Sequence, residues 1–434
     1  MLKGFLFLLS FFCSAFAVYA QIYSPIDTAD RPQRDKFISQ YNTANEIYSR
    51  SLRERYPGKT GKELQKSYKN FQEDFVKTIE QGHFCYEPKF INKANEIITE
   101  IRKRNPNIIG DLRVLIAKDN SPNAYCIGDG TFVINMGLFN FLANESQLAG
   151  VIGHELGHHL LEHSLKAQLR NINDNLQGNA TIKQLKSERY NRREKAFTLF
   201  RDRMYDMGDY RRKNELQADS IGYELIKKTE YDKVSYVTIL GLLTKYDTLK
   251  PEGLYIDIYK KYFSLPGRPF KEEWLKMEDF STYNYDLYKE KLEKDSVIAH
   301  PETIERIKKL KQLFPELSAD SSKIIPSTSF LELKKIAQYE VVPNFYSNED
   351  YGLGVYICLL RLQSNIDTVY YTGWLGKCFV KIYEARKKYT LNRYLDKVDP
   401  KEQTKSYQQF LSFMWNLNLE EIKAFAEYYT SKQL

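Results

Sequence analysis

The chain has 434 residues, 42% hydrophobic and 28% charged, with 64 Lys or Arg against 56 Asp or Glu and a formal net charge of +8. That composition excludes a disordered or fibrous polymer, and the length is enough to bury a full core, with two domains expected. Only six histidines are present, so any pair of them at a chemically meaningful spacing carries information.

Residues 1–20 stand apart from the rest. Lys3 opens a short positive region, Phe5 to Ala17 are almost wholly apolar, and Val18-Tyr19-Ala20 has small residues where a signal peptidase reads. The run is short for a membrane span, although an uncleaved anchor stays open as an alternative. Phe11-Phe12 ahead of Cys13 do not form a lipoprotein acceptor box. The expectation is a signal peptide over 1–20, with Gln21 as the new N-terminus and an exported, periplasmic or secreted protein. Cys85, Cys126, Cys358 and Cys378 then remain. Four cysteines allow three disulfide pairings, and equally allow four small buried hydrophobes. The longest internal apolar candidate is Tyr351 to Leu360, so the mature chain is expected to lack a transmembrane helix.

Residues 21–85 read as an N-terminal helical segment. One helix runs from about Arg31 to Tyr56 and stops at Pro57-Gly58. A second, near Lys62 to Gln81, carries Leu64, Tyr68, Phe71, Phe75 and Ile79 at helical spacing. A further helix is expected from Glu87 to Arg104, then a strand from Asp111 to Lys118 in which Leu112, Val114 and Ile116 alternate. Ala124 to Ile127 and Thr131 to Asn135 flank Gly128-Asp129-Gly130, a hairpin signal.

The next segment contains His154-Glu155-Leu156-Gly157-His158. On a helix, residues four apart share a face, so both imidazoles can reach one metal ion while Glu155 reaches an activated water as general base. Asn144 with Gln147 reads as an N-cap with its reciprocal cap, and Leu148, Val151, Ile152, Leu156 and Leu160 form the apolar stripe. This helix is expected to reach about Leu165, with His163 beyond the metal face, a hydrogen bonder to the surrounding structure or to a metal-binding side chain rather than a ligand. Residues 161–214 follow as a basic insertion, with thirteen Lys or Arg against seven Asp or Glu. No nucleic-acid-binding signature accompanies it.

A catalytic zinc site needs a third protein ligand. Glu215-Leu216-Gln217-Ala218-Asp219 supplies one: Glu215 can bind the metal, and Asp219, one turn on, can accept a hydrogen bond from a ligand imidazole. Ala218 is small enough to let two helices approach.

Together these two segments resemble metallopeptidase family forty-eight, which includes the HtpX-type and CAAX-prenyl-protease-type zinc endopeptidases and periplasmic relatives. The likeness spans roughly residues 86–315. It implies one Zn2+ per chain held by His154, His158 and Glu215, and a substrate-binding edge strand at Asn123, Ala124 and Tyr125. His300-Pro301-Glu302-Thr303-Ile304-Glu305-Arg306 resembles a family segment in which the histidine is a removable fourth metal ligand and the arginine stabilises the reaction intermediate. The resemblance thus implies those roles for His300 and Arg306. Cys126 and Asp129 depart from the family pattern, and the missing transmembrane helices favour its soluble, periplasmic branch.

Downstream, Val234 to Tyr246 reads as a helix, and Phe263 to Leu292 is aromatic and charged without clear period. From Pro326, helical segments are expected at Glu332 to Gln338, Asp350 to Gln363, Tyr370 to Tyr389 and Lys405 to Tyr429. They read either as a tetratricopeptide-like unit around Trp374-Leu375-Gly376 or as a covering bundle able to bind a protein partner. The predicted class is α+β and mostly helical: a zincin-like (gluzincin) peptidase domain with a small sheet over 86–325, and an all-α region over 326–434. The predicted function is an exported zinc endopeptidase acting on polypeptides, in protein quality control of the cell envelope. The alternative is a chaperone-like binding protein with little turnover.

Overall fold

A computed structural model describes residues 23–173, 192–248, 253–277, 303–319, 325–400 and 403–431. The expected signal peptide, much of the basic insertion, and His300 lie outside the described residues. Among the described residues no helix is long and apolar enough to cross a membrane, and Cys85, Cys126, Cys358 and Cys378 are all free thiols.

Two long helices, α1 (Arg31–Arg55) and α2 (Gly58–Glu80), form the N-terminal hairpin. Strand β1 (Phe84–Cys85) leads to α3 (Pro88–Arg104), whose N-cap Glu87 accepts a hydrogen bond from the Lys89 amide. Then follow β2 (Arg113–Ala117), β3 (Ala124–Cys126) and β4 (Thr131–Asn135). The sheet order is β1-β2-β4-β3, with β2 and β4 parallel and the other pairs antiparallel. The hairpin turn demands glycine: Gly128 and Gly130 have φ of 96° and 88°, values that favour a residue without a side chain. A Cβ on Gly130 would also lie 2.2 Å from the Asp111 carbonyl oxygen.

β3 is therefore an edge strand, and two supports hold its turn. Asp129 Oδ1 accepts from the Thr131 amide, and its Oδ2 lies 2.7 Å from the Tyr68 hydroxyl of α2. Tyr68 also contacts Asn45 of α1. The Tyr68 hydroxyl thus lies between two acceptors, Asp129 Oδ2 and Asn45 Oδ1, and its one proton is held between them. The unusual Asp129 is thus the buried point where the N-terminal hairpin fastens to the edge strand.

After α4 (Met136–Phe141) comes α5 (Glu145–Leu160), started as expected: Asn144 Oδ1 accepts from the Gln147 amide at 3.0 Å, and Gln147 Oε1 accepts from the Ala143 amide at 2.7 Å. The helix does not run to Leu165. It stops at Leu160, and a new helix, α6, covers residues 163–173. Helix α7 (Arg192–Lys227) returns across α5, followed by α8 (Ser235–Thr248), α9 (Ile256–Phe263) and α10 (Thr303–Leu313). The last part holds α11 (Thr328–Tyr339), α12 (Val341–Ser347), α13 (Tyr351–Gln363), α14 (Thr368–Lys387), α15 (Lys405–Asn416) and α16 (Leu419–Ser431).

Two large cores result. One joins α3, the sheet, α4, α5, α7, α8, α10 and also α11, through Phe330, Leu333 and Ala337. The other joins α13 to α16 with Ile258, Tyr259, Phe263 and Trp274 from earlier in the chain. The division between cores therefore does not fall at residue 325: the chain passes back and forth between them.

Candidate active site

α5 and α7 touch almost backbone to backbone. A Cβ on Gly157 would lie 2.6 Å from the Ala218 carbonyl oxygen, and one on Gly153 would lie 3.1 Å from that of Gly222. This small-residue contact carries Glu215 and Asp219 up against the two histidines. His154 Nε2 and His158 Nε2 are 3.1 Å apart, and each lies 3.5 Å from a Glu215 carboxylate oxygen. Four ligands held tetrahedrally at zinc distances sit about 3.3 Å from one another. The three side chains therefore fit a divalent ion of that size, and their donor set of two imidazoles and a carboxylate is one such an ion takes.

The outer partners of these ligands are also in place. His154 Nδ1 lies 2.9 Å from Asp219 Oδ1, close enough to pair but skewed from a straight N–H···O line. Arg306 of α10 donates from Nε and Nη2 to the two Asp219 oxygens, both at 2.7 Å, and its Nη1 is 3.2 Å from Glu215. Sequence reasoning gave Arg306 to the reaction intermediate. Its guanidinium lines the cleft and pairs with two carboxylates, so in this geometry it neutralises Asp219 and braces Glu215. On His158, Nδ1 approaches His163 Nδ1 at 3.0 Å.

Electrostatics agree with a cation site. Burial works against a charge on His154, yet the Asp219 and Glu215 carboxylates outweigh it and hold the imidazole up to about 10. Burial pushes the Glu155 carboxyl above its ordinary range, against the pull of both histidines. Asp219 is buried, which opposes ionisation, but Arg306 and then His154 hold it below the usual carboxylate range. Asp219 and Glu215 thus share one guanidinium while Glu215 also faces both ligand imidazoles, a carboxylate placement that suits a bound cation.

Glu155 accepts a hydrogen bond from the Cys126 amide of β3 at 3.2 Å. In the β3–β4 ladder, Asn123 and Ile127 bond inward to β4, so the main-chain groups of Ala124 and Cys126 face outward. Cys126 spends its amide on Glu155, and its carbonyl lies 3.5 Å from the Ser164 hydroxyl. Ala124, whose amide bonds the Asn123 side chain, therefore offers its carbonyl. Asn123, Ala124 and Tyr125 all line the cleft, a cavity of about 600 Å³ that also contains His154, Glu155, His158, Glu215, Asp219 and Arg306. Its other wall, unnoticed in the sequence, is apolar: Leu138, Leu142, Val151, Ile239, Leu240 and Leu243. Tyr236 was also missed. It lines the same cleft with a buried hydroxyl that has no hydrogen-bond partner among the described residues, and in sequence it reads only as one more aromatic residue on an apolar helix.

A family model described as peptidase family M48 matches residues 94–314. The chain is also 28% identical over 132 residues to the mitochondrial metalloendopeptidase OMA1 of Arabidopsis thaliana, an alignment that covers 30% of this chain and 26% of that relative.

Proposed function

The chain belongs to peptidase family M48, and we propose that it is a zinc endopeptidase with His154, His158 and Glu215 as metal ligands and Glu155 as general base. One observation carries the reading: ligand atoms of these three residues, from two separate helices, lie within 4.8 Å of one another beside a buried carboxylate. Zinc bound there supplies Lewis acidity toward a carbonyl oxygen and acidifies water.

The chain's own side chains supply the rest. Glu155 accepts the proton of the attacking water and delivers it to the departing amine nitrogen. Asp219 accepts the Nδ1 proton of His154 and so holds Nε2 as the metal-binding lone pair. Arg306 keeps Asp219 ionised and Glu215 in place. The substrate is an extended polypeptide that adds to the β3 edge through the Ala124 carbonyl, with an apolar side chain next to the scissile bond seated against Val151, Leu142 and Leu243. The small-residue pattern ending at Ala20 supports export, and with it a periplasmic or secreted role in protein quality control. The helices of the C-terminal core are the surface available to a protein partner.

The test is zinc-dependent cleavage of casein by the full chain and by Glu155→Gln. The variant is expected to keep one equivalent of zinc and lose cleavage. Undiminished cleavage in the variant, or a chain that takes up no metal, refutes the reading.

A further inference from the structure

His163 lies five residues after His158, and in an unbroken helix such residues sit about 140° apart around the axis, so their rings could not meet. The chain breaks instead. Glu162 adopts the left-handed conformation, φ 55°, between the end of α5 and the start of α6. That single residue turns His163 back toward the metal face. The two imidazoles then meet edge to face with centroids 4.9 Å apart and Nδ1···Nδ1 at 3.0 Å. His163 Nε2 lies 3.3 Å from Gln217 Oε1 on α7, and the His163 side chain is buried.

Proton counting gives this arrangement one direction. His158 Nε2 faces His154 and Glu215, so with Nε2 bound to a metal the ring's proton sits on Nδ1. Its neighbour there is His163 Nδ1, which must present a lone pair. The His163 proton is then on Nε2, aimed at the Gln217 oxygen, a group that can only accept. Every donor has an acceptor in this arrangement, and in no other with Nε2 as the ligand atom.

We propose that His163 is a positioning residue for the metal: it fixes the tautomer and ring angle of His158, and Gln217 fixes the tautomer of His163. The proposal rests on His158 being a ligand. It makes the two ligand imidazoles unequal, since His154 leans on an anion and His158 on a neutral ring. Gln217 is two residues from Glu215 on one helix, so the third ligand and the end of the relay move as one body. The left-handed turn is itself tied down. Arg55, the last residue of α1, binds the Glu162 carboxylate through Nη1 and Nη2 at 2.7 and 2.8 Å. That half-exposed pair adds little to stability, but it holds the residue whose backbone aims His163.

The experiment is zinc affinity by chelator competition on the full chain, with histidine tautomers read by long-range proton–nitrogen correlation in protein labelled at the imidazole nitrogens. His163→Phe keeps a ring and loses the acceptor; it is expected to weaken zinc binding about 10- to 100-fold. His163→Asn, whose side-chain oxygen falls near the lost Nδ1, is expected to restore most of that loss. In the zinc-loaded wild type, His163 is expected to carry its proton on Nε2. Wild-type zinc affinity in His163→Phe, no recovery in His163→Asn, or a proton on His163 Nδ1 overturns the proposal. If the variants do not fold, the wild-type tautomer decides by itself. A wild type without zinc affinity overturns the metal site as a whole, whereas zinc bound equally well by wild type and His163→Phe overturns the relay alone.

Discussion

Replacing Gly157 by Ala adds one methyl group at the point where α5 and α7 touch. Within a helix this change ordinarily stabilises, by about 1 kcal/mol. Here the new Cβ would sit 2.6 Å from the Ala218 carbonyl oxygen, 3.1 Å from its Cα and 3.2 Å from its carbonyl carbon, all backbone atoms. No rotamer change relieves such a contact; the helices must part by roughly 0.5–1 Å, and overpacking of this kind costs about 1–3 kcal/mol. The clash therefore outweighs the helix gain. The larger consequence is at the metal. Glu215 stands 3.5 Å from each Nε2, already near the upper limit for a shared ion, and metal–ligand distances tolerate only about 0.2 Å. The expected result is a folded protein whose zinc affinity falls about 10-fold or more, read by chelator competition, with the zinc-dependent rise in melting temperature reduced to match. A Gly157→Ala variant that binds zinc as tightly as the wild type would mean that the helix contact does not set the ligand geometry.

Other outcomes follow from single contacts. Tyr68→Phe removes the hydroxyl that serves buried Asp129 and is expected to lower stability by about 1.5–3 kcal/mol; a melt within a few tenths of wild type would refute the fastening. Val151→Trp should fill the apolar half of the cleft and raise KM for peptides with Leu or Phe at the scissile bond, leaving zinc content intact; an unchanged KM removes that wall from the substrate site. Burial raises the Glu340 carboxyl above its ordinary range, against the opposing hydrogen bonds of the Ile26 amide and the Tyr23 hydroxyl. A carboxyl with a raised folded pKa binds its proton more tightly folded than unfolded, so its contribution to stability falls as pH rises from the unfolded value through the folded one. Glu340→Gln should flatten that decline in denaturant melts run upward from the ordinary carboxylate range, and an identical slope in the variant would count against it.

The candidate metal ligands were legible as a group because one helical turn sets their spacing: His154 and His158 are four apart, as are Glu215 and Asp219, and the structure brings all four side chains together. The helix end at Leu160 was not legible. Leu160-Leu161-Glu162-His163 continues the helical pattern, and nothing local marks Glu162 as left-handed, because its restraint comes from Arg55 far away in sequence. Arg306 was found but its partners were not, since a guanidinium's targets depend on how three helices meet. The segment expected as one helix from Lys405 to Tyr429 divides at Asn418, where Asn418 and Glu421 cap each other reciprocally. That signal was available in Asn418-Leu419-Glu420-Glu421, overlooked beneath an apolar run that spans the break. The apolar cleft wall was hidden for a different reason: Leu138 comes from α4 and Ile239 and Leu240 from α8, and sequence shows an apolar residue without showing which neighbour is absent beside it.

The chain's alternation between its two cores bears on how the protein can be built and dismantled. Ile258, Tyr259, Phe263 and Trp274 are lodged among helices translated more than seventy residues later, while Phe330 and Leu333 are sewn back into the sheet-bearing half. Arg306, the brace of the metal pocket, hangs on the stretch between those stitches. A ribosome releasing residues up to 325 would present a polypeptide with those aromatic side chains uncovered, although the helix that carries Arg306 already rests on α7 and α8. Burial of those aromatic side chains is thereby deferred until the last helices emerge, a delay that leaves the unfinished chain open to aggregation.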